Sequence, residues 1–324
     1  MAKPRNNTAD LAAFLVVRAV VCVVQTVTPR VAFLLADGIA WLVYRFVPSR
    51  RRVALENLVA AYPELAHDPA RADRLVRAMY RHFLRAVVEG LLMPRKFRVG
   101  NWRAFIDMYP AVRLPEAMLS DRPALLVTAH FGNWEMAGYA MGAMGFRTFA
   151  IARVLDNPFL ERFVHRLRQS TGQTIIPKKE AYDAMKALLP GGAKVGTLAD
   201  QDAGPKGVFV EFFGRPASTH KAIALMAIEF QTRIVVLGMP RVPRAGRANL
   251  PPPAGMEGTF YAVEVEDVID PRDYAGRSDA VKAITERYTA ALERLIRRHP
   301  EQYFWLHRRW KSQPKAKGSA TKAA

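Results

Sequence analysis

Cysteine is almost absent. Cys22 stands alone among 324 residues, which excludes a disulfide framework and a thiolate metal cluster. Acidic residues are also scarce, 29 Asp and Glu against 48 Lys and Arg, for a net charge of +19. Such an excess calls for polyanionic partners: nucleic acid, an anionic membrane surface, phosphorylated lipids or an acidic protein. The positive charge is spread through helices with no nucleic-acid module in view, so nucleic acid is not the expected partner. No G-x-S-x-G elbow is present, and GPKG at 204–207 lacks the Lys-Ser/Thr ending of a phosphate-binding loop. Internal repeats of 20–50 residues are missing too.

Long uncharged apolar runs are also lacking. LAAFLVVRAVVCVVQTV (11–27) and VAFLLADGIAWLVYRFV (31–47) come nearest, but Arg18 interrupts the first, and Asp37 and Arg45 the second. A clean membrane span needs about 20 apolar residues with few or no charges. Nor does a small-residue cleavage site follow, as in a signal peptide. Lys3 and Arg5 precede the runs, and Arg50, Arg51 and Arg52 follow them. Cationic flanks at both ends put both ends on the cytoplasmic side. The reading is an interfacial helix or a shallow hairpin, with two core helices of a soluble domain as the alternative. This gives an apolar membrane-associating segment at 1–50, an α/β domain at 51–311 and a basic disordered tail at 312–324.

Residues 53–65 and 70–93 show helical spacing. In the second stretch Leu75, Met79, Phe83 and Val87 form an apolar stripe, with Arg77, Arg81 and Arg85 expected on the opposite face. His82 reads as a surface or boundary residue. From about 123 short apolar runs alternate with helical stretches. ALLVTA (124–129), RTFAIAR (147–153), KVGTLAD (194–200) and RIVVLGMP (233–240) read as strands of a mostly parallel sheet flanked by helices. FYAVEVEDVI (260–269) alternates like an edge strand, and 241–258 is a Pro/Gly-rich loop.

The chemistry gathers at strand ends, where sites of open α/β sheets form. His130 ends the first strand, Gly132 and Asn133 make the turn, and Glu135 enters the next helix. An imidazole there can act as a base, with Glu135 expected to orient the ring and support its cation. The alternative is a structural histidine packed by Trp134. Arg153 ends the next strand and Asn157–Pro158 open a helix; a surface ion pair with Asp156 is the simpler reading of Arg153. Asp200, Gln201 and Asp202 follow a third strand end, a weak DxD-like metal signal. With no protein nucleophile evident, the hydroxyl to be activated belongs to a substrate.

HFGNWE (130–135), R-x-x-x-N-P (153–158), ADQDAGPKGVFVEFFGRPAST (199–219), PEQYFWLHRRWK (300–311) and VALENLVAAYPE (53–64) together resemble the bacterial lipid A late acyltransferases. The resemblance runs from the apolar leader to about residue 311. It implies a glycerolipid-acyltransferase-like α/β fold at the cytoplasmic face of the bacterial inner membrane, acyl carrier protein as donor, an anionic glycolipid acceptor and no cofactor or metal. By motif position it places the catalytic pair on His130 and Glu135. Arg153, Asn133, Asp200 and Gln201 become substrate, oxyanion or phosphate contacts. Glu211, where the family commonly has Pro, and a longer 241–258 loop depart from the pattern. Two other readings stay open: a relative acylating another glycolipid, such as a phosphatidylinositol mannoside, from acyl-CoA, and a hydrolase holding a metal at His130, Asp200 and Asp202. A non-catalytic membrane-binding protein would also explain the charge.

Overall fold

The computed structural model describes residues 7–170, 172–244 and 250–314. Part of the Pro/Gly-rich loop and residues 315–324 of the basic tail lie outside them. The first apolar run forms α1 (Asn7–Thr26) and the second α2 (Pro29–Phe46). The break is local chemistry: Thr28 accepts from Val31 N and Pro29 fills the first helical turn, an N-cap followed by the proline that suits it. A sharp bend of 89° separates α2 from α3 (Pro48–Ala61). Among the described residues α1 alone is long and apolar enough by itself to cross a membrane. Leu15, Val16 and Val20 on α1, and Leu34, Trp41 and Phe46 on α2, are exposed. That is far more contiguous apolar surface than a water-facing helix carries.

The charges that interrupt these runs each meet a partner. Arg18 sits over the Phe163 ring at 5.1 Å. Asp37 takes ion pairs from Arg81 and Arg85 of α4 (Pro69–Lys96) at 3.1 and 2.6 Å. Arg81 and Arg85, expected on the face opposite the stripe, therefore reach across to α2. The reason is geometric: a four-residue repeat drifts about 40° per step on a 3.6-residue helix. Met79 is accordingly buried while Val87, two steps on, is 45% exposed. Ala32, Ala36 and Ala40 lie with Tyr44 on the buried face of α2, and the three alanines let it lie close against α4.

Short β1 (Ile106–Asp107) and α5 (Leu114–Leu119) lead into the alternating region. There follow β2 (Ala124–Thr128), α6 (Trp134–Ala143), β3 (Thr148–Ala152), α7 (Pro158–Gln169), β4 (Thr174–Pro177), α8 (Ala181–Leu188) and β5 (Lys194–Leu198). A hairpin of β6 (Val208–Phe212) and β7 (Arg215–Thr219) precedes α9 (Ala222–Glu229), β8 (Arg233–Gly238), β9 (Tyr261–Ala262), β10 (Glu264–Ile269) and α10 (Ala280–Arg298). The six-stranded sheet runs β10-β8-β2-β5-β3-β4 and is parallel except where β10 pairs antiparallel with β8. Leu125 and Val127 point to a core shared with α10, and Leu126 to a second core shared with α6, the period-two alternation of a sheet covered on both faces.

Three details depart from the sequence reading. The 260–269 stretch is divided: Tyr261–Ala262 pairs with β1, and only Glu264–Ile269 is the edge strand. The edge strand β4, four residues that end in Pro177, carries too short a pattern to read as a strand. The aromatic run at 208–219 is the β6–β7 hairpin, turned by Phe213 and Gly214 at φ 53° and 69°. Two positive φ values suit a two-residue hairpin turn, but Phe at the first position hides the signal.

Candidate active site

His130 and Asp200 are 70 residues apart in sequence, and strand register brings them together. β2 and β5 are parallel neighbours with Thr128 opposite Leu198, so the residues two beyond each also stand opposite. Asp200 Oδ2 accepts from His130 N at 3.0 Å and Oδ1 lies 2.8 Å from His130 Nδ1. The aspartate side chain is fully buried and the imidazole 15% exposed. Burial alone would raise the Asp200 carboxyl; the charge of His130 and its hydrogen bonds outweigh it, holding Asp200 down at about 2. The carboxylate on the imidazole is therefore Asp200, not Glu135. Glu135 turns away along α6 and pairs with Arg168 through both oxygens, at 2.5 and 2.9 Å. Neighbouring strand order, invisible in sequence, decides between the two acids.

The 130–133 turn is locked from several sides. Phe304 N donates to His130 O, Gly132 N to Gln302 O and Asn133 N to Met239 O, at 2.9, 3.0 and 2.9 Å. Half-buried His82, expected at a boundary, lies with Nε2 3.0 Å from Gly132 O. Burial, with Arg241 nearby, pushes His82 down to about 4, so near neutral pH it is an uncharged ring donating to that carbonyl. Gly132 adopts φ +60°, and a Cβ there would meet the Met239 carbonyl oxygen at 2.1 Å. Gly132→Ala is expected to cost about 3 kcal/mol or more, since neither backbone can yield cheaply. Thermal unfolding of the detergent-solubilised protein measures it.

Asn133 does not reach substrate space. It is 1% exposed and caps α6 by accepting from Met136 N at 3.0 Å. Its amide donates to Glu89 Oε2 at 3.1 Å. Glu89, itself fully buried, also takes Thr259 Oγ1 at 3.0 Å, the Tyr261 hydroxyl, and Arg241 at 2.7 Å. A buried acid needs such complete pairing. Sequence reading missed this network, whose members come from α4, α6 and the region following β8. The expected substrate contact at Asn133 is thus a structural cap.

On the α6 side of the sheet lies a cavity of about 470 Å³, with His130 in its wall. Its floor is a row across four strands, Leu126, Gly196, Ala150 and Ile175, in mutual register. Gly196 and Ala150 keep the middle of the row low, so an apolar groove runs between larger neighbours. Leu114, Met141 and Leu237 also line it. Around it stand Glu135, Arg153, Arg168, Lys178 and Gln201. Arg153 is 78% exposed and pairs with Asp156 at 3.3 Å, so the surface ion pair and the groove location hold together. Arg168, missed in the sequence, keeps its proton more firmly because Glu135 outweighs the effect of burial. Among the described residues no serine or cysteine lines the groove.

Asp202 points elsewhere, accepting from Gly204 N and from Ser312 N and Oγ. The DxD pair therefore does not converge. His307, from the C-terminal segment, does approach: donor atoms of His130, Asp200 and His307 lie within 4.8 Å of one another. The 2.8 Å between His130 Nδ1 and Asp200 Oδ1 is a charge-assisted hydrogen-bond length. It is shorter than the roughly 3.3 Å between ligands of a tetrahedral zinc ion with ~2.0 Å bonds.

A His–Asp pair on an apolar groove, with cations around it, is an arrangement suited to group transfer. The chain belongs to the bacterial lipid A biosynthesis acyltransferase family, whose model matches residues 3–312, and it is an acyltransferase. It is 26% identical to the lipid A biosynthesis palmitoleoyltransferase of Escherichia coli K12 over 302 residues, covering 91% of this chain and 90% of that one. To the lauroyltransferase of the same organism it is 25% identical over 300 residues, covering 90% and 89%. To a phosphatidylinositol mannoside acyltransferase of Mycobacterium tuberculosis it is 26% identical over 202 residues, 61% of this chain and 57% of the other.

Proposed function

We propose that this protein transfers a fatty acyl chain from an acyl carrier protein thioester to a hydroxyl of a lipid A precursor, with His130 as general base. The observation that carries the reading is the His130–Asp200 pair opening onto the 470 Å³ apolar groove. His130 Nε2 takes the proton of the acceptor hydroxyl, whose oxygen attacks the thioester carbonyl. Collapse of the tetrahedral intermediate breaks the C–S bond, and the departing sulfur takes the proton back from His130. Asp200 holds the imidazole with Nε2 free and stabilises its cation.

Glu135 serves the site as the partner that fixes Arg168 beside the groove. Arg153, Arg168 and Lys178 then meet acceptor phosphates or the developing oxyanion, with Gln201 a further polar contact. The basic excess suits an acidic carrier protein and a phosphorylated acceptor. The exposed apolar faces of α1 and α2 anchor the enzyme to inner-membrane lipids at the cytoplasmic face, so that acceptor arrives from the bilayer. The sheet is proposed to follow the glycerolipid-acyltransferase arrangement, residues 1–50 acting as the anchor and 51–311 as the catalytic domain.

A second reading takes a phosphatidylinositol mannoside as acceptor, favoured by the similarity to the mycobacterial relative, and acyl-CoA as donor. Purified protein supplied with each donor and each acceptor separates the two by product mass. An acyl gain on the phosphorylated disaccharide with the carrier-protein donor is expected. A gain only on the mannoside with acyl-CoA would replace the first reading with the second.

Groove depth should set chain length. A Cβ on Gly196 would meet only Phe149 O within 4 Å, at 3.6 Å, and atoms beyond it would extend into the groove that Gly196 lines. Gly196→Leu is expected to lower kcat/KM for the longest accepted chain about tenfold and move preference to shorter donors. Competition among mixed-length donors reads this directly.

A further inference from the structure

Beside the His130–Asp200 pair stands a second imidazole. The His307 ring centroid is 4.4 Å from that of His130, the planes at 69°, and 4.8 Å from Phe304. One His307 ring nitrogen joins the His130 and Asp200 donor atoms within 4.8 Å, and Nε2 is buried without a partner. Buried polar groups are nearly always paired, so an unpaired one against a working base calls for a reason.

The placement is built from distant parts of the chain. Asn57 Nδ2 of α3 donates to Trp305 O at 2.8 Å and to His307 O at 2.6 Å. This gives the VALENLVAAY stretch a role that helical periodicity does not explain. Phe304 N is tied to His130 O at 2.9 Å, so the base and the second ring sit on one hydrogen-bonded unit. His307 is not among the groove-lining residues. Burial, together with the neighbouring His130, pushes it down to about 4. At neutral pH it is an uncharged ring with one N–H, which leaves Asp200's charge to His130; a cation there would compete for it.

We propose that His307 is a positioning residue for the acyl-transfer base, its ring nitrogen donating to the Asp200 carboxylate while His130 carries the acceptor's proton. Both Asp200 oxygens already hold His130, at N and Nδ1. His307 makes no such bond in the resting site, where its nitrogen lies within 4.8 Å; closing on the carboxylate as a third, neutral donor, it holds the Asp200 plane while charge develops on the His130 ring. His307 keeps its own proton throughout, and no bond to substrate forms. The inference rests on His130 being the base.

The test compares full-length His307→Phe, His307→Gln and His130→Asn in detergent, with acyl carrier protein thioester and the phosphorylated disaccharide acceptor, after thermal midpoints confirm folding. Phenylalanine keeps the ring and its packing but removes the nitrogen. It is expected to lower kcat about 10- to 100-fold with KM within about twofold. Glutamine, with an amide nitrogen near the Nε2 position, should recover most of that loss. A His307→Phe enzyme with wild-type kcat, or a glutamine variant as slow as phenylalanine, would overturn the proposal. Full activity in His130→Asn would instead overturn the base assignment itself, so the two failures are distinguishable.

Discussion

His130→Ala is expected to lower the rate of acyl transfer by about 10³-fold or more. Without the imidazole no other acid or imidazole among the described residues is placed to act as the base: Glu135 is tied to Arg168, and Asp200 is buried behind the ring. Alanine also strips Asp200 of its side-chain partner, leaving the backbone N of residue 130 as the donor to a buried carboxylate, a loss of about 1–3 kcal/mol. Loss of activity in that variant alone could therefore be read as loss of fold. His130→Asn separates the two effects. Its amide reaches the Nδ1 position and still donates to Asp200, but it has no basic nitrogen. Both variants should be inactive, and only the alanine protein should lose several degrees of thermal stability. Steady-state rates measured beside thermal midpoints test this.

The second large effect belongs to Asp200. Asp200→Asn is expected to lower kcat by about 10²–10⁴-fold. The asparagine amide would donate to His130 Nδ1, forcing the ring proton onto Nε2, where it faces the acceptor and blocks base catalysis. The fold should survive better than the activity, because the amide remains within hydrogen-bond reach of His130. Asp200 also ties stability to pH. Its folded value of about 2 lies below the ordinary carboxylate value of 3.8, so the stabilisation is fully present above the unfolded value. It is lost as pH falls through the folded one, an effect of about 2 kcal/mol. In Asp200→Asn that acid-side loss should shrink, and unfolding followed from pH 5 to pH 2 would show it.

The sequence reveals much of this architecture because its signals are local. Strand–helix alternation announced the parallel sheet, and an apolar run ending at His130 placed the base at a strand's carboxyl end. What it concealed depends on neighbour order. His130 and Glu135 are close in sequence, which made them a plausible pair. Yet β5 lies between β2 and β3 in the sheet, and that puts Asp200 against the ring. From sequence Asp200 reads only as a possible substrate contact or half of a metal motif. Asn133 carried the right chemistry for an oxyanion donor, but Glu89, 44 residues earlier, claims its amide. His307 stood in a quoted motif, PEQYFWLHRRWK, without any spacing to link it to His130. Its position follows from Asn57 and from the pairing of Phe304 with the turn. The apolar N-terminal helices were legible in position, while the partners of Arg18 and Asp37 needed the packing of α7 and α4.

The central claim is tested most directly by the intact mass of the acceptor. The wild-type protein in detergent would be incubated with acyl carrier protein thioesters of mixed length and a phosphorylated lipid A precursor. The account predicts a gain of one acyl chain on the precursor, with free carrier thiol released in equal amount. Release of free fatty acid with the precursor mass unchanged, by protein of intact thermal stability, would contradict it.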